Sequence, residues 1–373
     1  MMMTAARTDP TRDLRPKPLP RSGVRQRPTT APTVSVVVTN YNYARFLPQS
    51  VCSALAQGEA DTEVIIVDDV STDDSLKVMR DLAAGDARVR LIESPINSGP
   101  VAAFNRGLAA ATGAYVIRLD ADDLLTPGSV ARSTALAEQH PNVGFVYGHP
   151  VAFTDRPPVN HRDMARTWDV WTGTDWLELR CRLATNCITS PEVLMRRSTL
   201  DAVGGMRELA HTHDMELWMR LARAADVGWI GGCDQAWHRD HSASLSSREV
   251  GVMVDLHERA DAFRVLFSDG QGEPAGDARL WLLARRSLAN EALSRATSAI
   301  AKGRGGTQEI EDYRAFADTL KVDLDDLPVA SHFRLACRLG PRRSRWSLRL
   351  VAWAALYRLT RELGAPRLRS EGI

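Results

Sequence analysis

Three carboxylates fall within four residues at Asp120-Ala121-Asp122-Asp123. Left alone they repel one another, and one of them would carry a raised pKa. A divalent cation removes the conflict. Hard ions such as Mg²⁺ and Mn²⁺ take carboxylate, water and phosphate oxygens and need only one or two carboxylates from the protein, so a diphosphate would complete the shell. A second acidic group, Asp68-Asp69, opens the run Asp68-Asp69-Val70-Ser71-Thr72-Asp73. Asp73 or Asp74 can cap the helix that follows, which leaves the first pair for hydrogen bonds to a base or ribose. A third feature is Asp214 at the head of His213-Asp214-Met215-Glu216-Leu217-Trp218-Met219-Arg220-Leu221. Leu217, Trp218 and Leu221 are spaced to bury one helical face. By residue type alone Asp214 is a helix cap. Two rival uses of the acidic cluster fail on spacing. A calcium loop needs Gly sixth and Glu twelfth, where counting from Asp120 gives Leu125 and Ala131. An aspartyl-phosphate enzyme wants its cluster on an early strand with Thr or Val where Leu124 stands.

The elements that must position these groups alternate in type. Short β-branched runs, Val34 to Thr39, Val64 to Val67, Val89 to Ile92, Tyr115 to Leu119 and Val143 to Tyr147, are the expected strands. Helical spacing lies between them at Phe46 to Ala56, Ser75 to Ala84, Val101 to Ala110 and Pro127 to Gln139, the last with Thr126 as cap and Pro127 in its first position. The strands are continuous apolar runs and not alternating ones, which predicts a largely parallel sheet covered on both faces. Ligands sit beyond the carboxyl ends of such strands. There the sequence places Thr39-Asn40-Tyr41-Asn42, Asp68 to Asp73, Ser94 to Gly99 and Asp120 to Asp123. Asn97-Ser98-Gly99 taken singly is as well explained by turn formation.

Four pieces in register resemble the family 2 glycosyltransferases with their GT-A fold. They are Val34-Ser35-Val36-Val37-Val38-Thr39-Asn40-Tyr41-Asn42, then Val67 to Asp73, then Asn97-Ser98-Gly99 leading to Ala103-Phe104-Asn105-Arg106-Gly107, and Leu119-Asp120-Ala121-Asp122-Asp123. The resemblance covers roughly Thr33 to Ser246. It implies an α/β, Rossmann-like, mostly parallel sheet of the nucleotide-diphospho-sugar transferase type, with a helical appendage after it. It also implies an inverting hexosyltransferase that moves a sugar from a nucleotide-sugar to an acceptor hydroxyl. Thr39, Asn40, Tyr41, Asn97 and Gly99 would then border the donor, and Asp68 or Asp69 would meet its nucleoside. Asp120 and Asp122 would form the DxD motif that carries Mn²⁺ or Mg²⁺ and the diphosphate. Asp214 would be the general base, with His213 where the family often has Glu. Arg239, in Arg239-Asp240-His241, would neutralise the diphosphate and His241 would approach the metal.

The totals fit this reading. At 373 residues and 44% hydrophobic composition, one large domain and an appendage are expected: a disordered tail over 1–32, a catalytic domain over 33–248 and a helical region over 249–373. Lys and Arg (47) balance Asp and Glu (46) to a net charge of +1, so no nucleic-acid partner is expected. The five scattered cysteines form no CxxC pair, which speaks against a disulfide framework or structural zinc and for a reducing, cytoplasmic setting. No apolar run reaches the ~20 residues of a spanning helix. Pro341 to Leu363 places Arg342, Arg345 and Arg349 beside Trp346, Leu350, Trp353, Leu356, Tyr357 and Leu359. That pattern suits either a helix lying on the inner face of a membrane or one packed on the catalytic domain. The acceptor would be a glycan, glycolipid or protein, in cell-envelope or extracellular polysaccharide or glycolipid synthesis. A nucleotidyltransferase making nucleotide-sugars would want a Gly-rich basic loop where Asn40-Tyr41-Asn42-Tyr43 stands. A silent sugar-binding protein would have no use for both a metal cluster and a base.

Overall fold

The computed structural model describes residues 17–18, 33–58, 61–241, 251–304, 307–370 and 372. Apart from residues 17–18, the expected N-terminal tail lies outside them, as do Ser242 to Ser246 and the expected boundary at residue 248. A first βα series runs β1 (Lys17–Pro18), β2 (Thr33–Asn40), α1 (Leu47–Leu55), β3 (Asp61–Asp68), α2 (Ser75–Gly85), β4 (Val89–Glu93), α3 (Gly99–Ala110) and β5 (Tyr115–Asp120). Next come β6 (Leu124–Leu125), α4 (Ser129–Gln139), β7 (Val143–Phe153), β8 (Thr167–Trp171), α5 (Gly173–Leu183), β9 (Leu194–Arg196), α6 (Arg197–Val203), α7 (His213–Ala224) and β10 (Asp226–Arg239). Five helices close the chain: α8 (Val252–Ser268), α9 (Pro274–Ala301), α10 (Thr307–Thr319), α11 (Ala330–Ser344) and α12 (Leu348–Ser370).

One mixed sheet has the order β1-β8-β10-β7-β9-β5-β2-β3-β4, with β6 beside β10. The expected parallel set is present: β2 pairs in parallel with β3 and β5, β3 with β4, and β7 with β10. Short β9 is antiparallel to both β5 and β7 and joins the two parallel groups. Side chains alternate across the sheet. Val36 and Val38 join the cluster under α1, α2 and α4, whereas Val37 joins the one under α3, α5 and α7. Gly107 lets α3 press on the sheet, because a Cβ there would overlap Val37 Cγ1. The second cluster does not stop at the catalytic fold. It continues through Phe263, Leu288, Ala292 and Phe316, so α8 to α10 share an apolar core with α5 and α7.

Two expected boundaries move. Helix α4 begins at Ser129 after Gly128 at φ 72°, not at Pro127. The Thr126 hydroxyl does not cap it, because that group donates to the Asp234 carbonyl at 2.6 Å once Leu124 and Leu125 pair with β10. The basic C-terminal segment also divides. Gly340 at φ 68° breaks α11 just before Pro341, and a fresh helix starts at Leu348. Proline lacks the N–H that would carry the helix through. Helix α12 buries Leu350 and Ala354 against Ile300 and Ala336, while Leu348, Leu356 and Leu359 remain exposed.

Candidate active site

Parallel register brings the strand ends together. Thr39 stands opposite Asp120 and Asn40 opposite Asp68. The side chains follow: Thr39 Oγ1 donates to Asp120 Oδ1 at 2.8 Å, and Asn40 Nδ2 to Asp68 Oδ1 at 2.8 Å. Neither member of the first acidic pair is left free, contrary to expectation. Asp68 is buried and also accepts from the Ser71 hydroxyl and N–H. Asp69 accepts the Ser98 N–H at 3.0 Å and the Gly99 N–H at 2.7 Å, tying β3 to the start of α3. Between these two anchors Val70 takes φ 66°, a left-handed conformation that costs a β-branched residue about 1–2 kcal/mol. Asn42, also left-handed, holds the far side of the turn by accepting the Thr72 N–H at 2.7 Å.

The three carboxylates of the second cluster have three different fates. Asp120 is paired: Arg118 Nη2 donates to it at 2.8 Å, and although burial alone would raise its pKa, Arg118 and Thr39 hold it below the usual carboxylate range. Asp123 is structural, accepting the Arg239 N–H at 2.8 Å and facing His238 Nδ1 at 3.1 Å. That bond from Asp123 outweighs burial and pushes the His238 pKa up to about 9, so the ring is an imidazolium at neutral pH. Asp122 has no guanidinium partner. Burial, then repulsion from Asp123 and Asp120, pushes its pKa up to about 6, and His241 Nε2 lies 2.9 Å from Oδ2.

A hard divalent ion fits this donor set, since Asp122 is the one carboxylate of the three bonded neither to the Arg118 guanidinium nor to the His238 imidazolium. Among the described residues no three His, Cys, Asp or Glu side chains are arranged to hold a metal by themselves. Asp122 and His241 would supply two donors, and a donor diphosphate the remainder.

Asp214 lies in the first turn of α7, one residue inside the helix that Thr212 precedes. Asn186 Nδ2 donates to its Oδ2 at 3.1 Å. The neighbouring His213 is buried, and burial followed by the Arg118 charge lowers its pKa, so it is neutral and its Nε2 accepts from Arg118 Nη1 at 3.1 Å. A continuous chain of contacts therefore joins Asp120, Arg118 and His213 to the helix that carries Asp214.

A cavity of about 1250 Å³ runs along these groups. Among the expected site residues, Asp68, Arg239 and His241 are outside its lining and the others border it. Arg239 is a correction. Its side chain is 2% exposed and lies between the Phe46 and Phe153 rings at 4.4 Å from each. Its nitrogens donate to the carbonyls of Asp122, Thr154 and Asp155 and to Gln49 Oε1. A guanidinium so engaged braces the loops and does not face the cavity. Trp168, Trp171 and Trp176 are buried in the core and line no sugar site.

Arg118, Asn186 and His238 were missed at the level of sequence, although all three border the cavity. Arg118 left a signal: it interrupts the apolar strand Tyr115–Asp120, and a charge buried there needs a partner. Asn186 and His238 left none, because their partners are far away in the chain.

The family model for glycosyl transferase family 2 matches residues 35–204. An uncharacterized glycosyltransferase of Nostoc sp. is 41% identical over 116 residues, 31% of this chain and 35% of that protein. Chondroitin synthase of Pasteurella multocida is 40% identical over 99 residues, 26% of this chain and 10% of the other. The matches span only 35% to 43% of the length of the first four curated relatives. Among solved structures, S. aureus TarS in complex with UDP-GlcNAc aligns with TM-score 0.58 at 17% identity, over 88% of this chain and 92% of that one. The Pyrobaculum calidifontis mannosyltransferase PcManGT, in complex with GDP-Man and Mn²⁺, aligns with TM-score 0.51 at 18% identity over 90% and 89%. At such identities the structural likeness is one of fold, and that fold is GT-A with helices added after it. The match to the glycosyl transferase family 2 model covers residues 35–204, 170 of the 373 residues.

Proposed function

We propose that the chain transfers a sugar from a nucleotide-sugar to an acceptor hydroxyl with inversion at the anomeric carbon. The observation that carries this reading is the placement of Asp214 and Asp122 on one cavity with no covalent nucleophile needed between them. Asp214, oriented by Asn186, takes the proton of the acceptor hydroxyl as the oxygen attacks. Thr39, Asn40, Tyr41, Asn97 and Gly99 border the nucleotide, and Asp69 meets its base or ribose at the edge of the cavity. The imidazolium of His238 adds positive charge near the departing diphosphate. Mn²⁺ or Mg²⁺, held by Asp122 and His241, would neutralise the charge that develops on that diphosphate. Two neighbours in fold were solved with UDP-GlcNAc or GDP-Man bound, which supports a nucleotide-sugar donor, and the relatives include polysaccharide synthases, which supports a glycan or glycolipid acceptor.

A panel of nucleotide-sugars with Mn²⁺ tests this. At least one donor should raise the thermal midpoint by mass action and be hydrolysed slowly, with both effects lost in Asp122→Ala. No binding by any donor, or an unchanged Asp122→Ala variant, sinks the proposal.

We further propose that α12 lies on an anionic membrane surface, in a cytoplasmic, peripheral setting. Leu348 (88% exposed), Leu356 (59%) and Leu359 (50%) form an outward apolar stripe with Arg349 and Arg358 exposed beside it. No helix among the described residues is long and apolar enough to cross a membrane. Leu356→Glu with Leu359→Glu should abolish co-sedimentation with phosphatidylglycerol vesicles and leave the thermal midpoint unchanged. Equal binding by wild type and variant overturns it.

A further inference from the structure

The cavity is larger than the ~300–1,000 Å³ of an ordinary small-molecule site. The strand ends and Asp214 account for only part of its wall. Beyond Asp214 the wall is made by Asp255 and Glu258 of α8, Asn290 and Ser294 of α9, and Tyr357 and Thr360 of α12. Two polar atoms there are buried without a hydrogen-bond partner, Glu258 Oε2 and the Tyr357 hydroxyl. Buried groups of that kind are nearly always satisfied, and here the open side is the cavity. The wall itself is rigid. Arg259 binds Glu291 at 3.0 Å and the Ala184 carbonyl, and Arg295 binds Glu291 at 2.6 Å, so α8 and α9 are clamped together and to α5. Glu291 and Asp255 together offset those two guanidinium groups, Arg182 is paired with Glu178, and Arg361 lies over the Tyr357 ring. What faces the space is therefore a charge-balanced set of carboxylates and guanidinium groups, with a phenol, an amide and hydroxyls that both donate and accept.

We propose that this chamber receives the acceptor, that the acceptor is an uncharged sugar ring with free hydroxyls, and that Glu258 and Tyr357 read those hydroxyls while Asp214 deprotonates the reacting one. The inference rests on the glycosyl-transfer reading. It gives the C-terminal helices a share in the active site, since the chamber has no outer wall without α9 and α12. Preformed walls suit it, because little ordering is then lost on binding.

Kinetics with the donor identified above and a panel of neutral methyl glycosides and short oligosaccharides tests it. Donor hydrolysis in water reports the donor site alone. Glu258→Gln and Tyr357→Phe should each raise the acceptor KM about tenfold or more and leave donor Kd and hydrolysis within twofold. Thr360→Trp, at an exposed position on the chamber rim, should block transfer and spare hydrolysis. Unchanged acceptor KM in all three variants, or a donor that is hydrolysed while no neutral glycoside accepts, overturns the inference. A wild type that neither binds nor hydrolyses any donor removes the glycosyl-transfer reading itself.

Discussion

The two ends of the cavity are built by different rules. At the donor end, Thr39, Asn40, Asp69, Gly99 and Asp120 come from four successive βα junctions within about eighty residues, and parallel pairing sets them side by side. At the other end, Asn186, Asp214, Glu258 and Tyr357 come from a loop and three helices spread over more than one hundred and seventy residues. The first set repeats a single geometric step, so a motif there carries its own position. The second depends on how helices dock, which no local motif records. The acids differ in the same way: Asp68 and Asp123 are spent on bonds within the protein, whereas Asp122 and Asp214 line the cavity with fewer partners.

The largest expected effect separates the two ends. Asp214→Asn should lower kcat for transfer about 10³-fold while donor Kd stays within twofold, as measured by steady-state kinetics and calorimetry. Equal loss of donor affinity would merge the two ends into one. Next, Arg239→Ala should cost about 3–4 kcal/mol of stability, because it strips three carbonyls of a buried donor. Denaturant unfolding would register this, and a folded variant that lost donor affinity alone would return Arg239 to the diphosphate. Third comes the His238–Asp123 pair. The His238 pKa stands at about 9 against an ordinary 6.5. A raised pKa stabilises the fold fully below about pH 6.5, and that contribution fades as pH climbs through 9. Thermal midpoints should thus fall over this window by the equivalent of about 2–3 kcal/mol, and His238→Gln should flatten the curve. The smallest effect is Val70→Gly, expected to add about 1 kcal/mol by relieving a left-handed valine. Reduced stability would show that the Val70 side chain, 41% exposed, contributes packing to the donor loop.

Much of the donor end was legible from residues alone. The βα order, the parallel pairing and the four strand-end segments followed from β-branched runs and turn residues; the four strand ends fall within one residue of the expected limits, whereas β3 starts three residues earlier and β7 runs on to Phe153. Asp214 was reached by resemblance, since its residue type asked only for a cap. The errors share one cause. Thr126 was read as a cap, Arg239 as a diphosphate ligand and Asp68 as a free carboxylate, and in each a partner distant in sequence had claimed the side chain: the Asp234 carbonyl, the Asp122, Thr154 and Asp155 carbonyls, and Asn40.

By itself, then, the sequence determined the sheet, the edge at which chemistry would gather and the acidic residues available there, because period and pairing are local properties of the chain. Only the tertiary structure decided which of those acids is left unpaired by a cation from Arg118 or His238, that these two supply the counter-charge elsewhere, and that α8, α9 and α12 close the far wall. Those outcomes turn on burial and on contacts between segments a hundred or more residues apart, where the energy of a side chain depends on neighbours that its own stretch of sequence does not name.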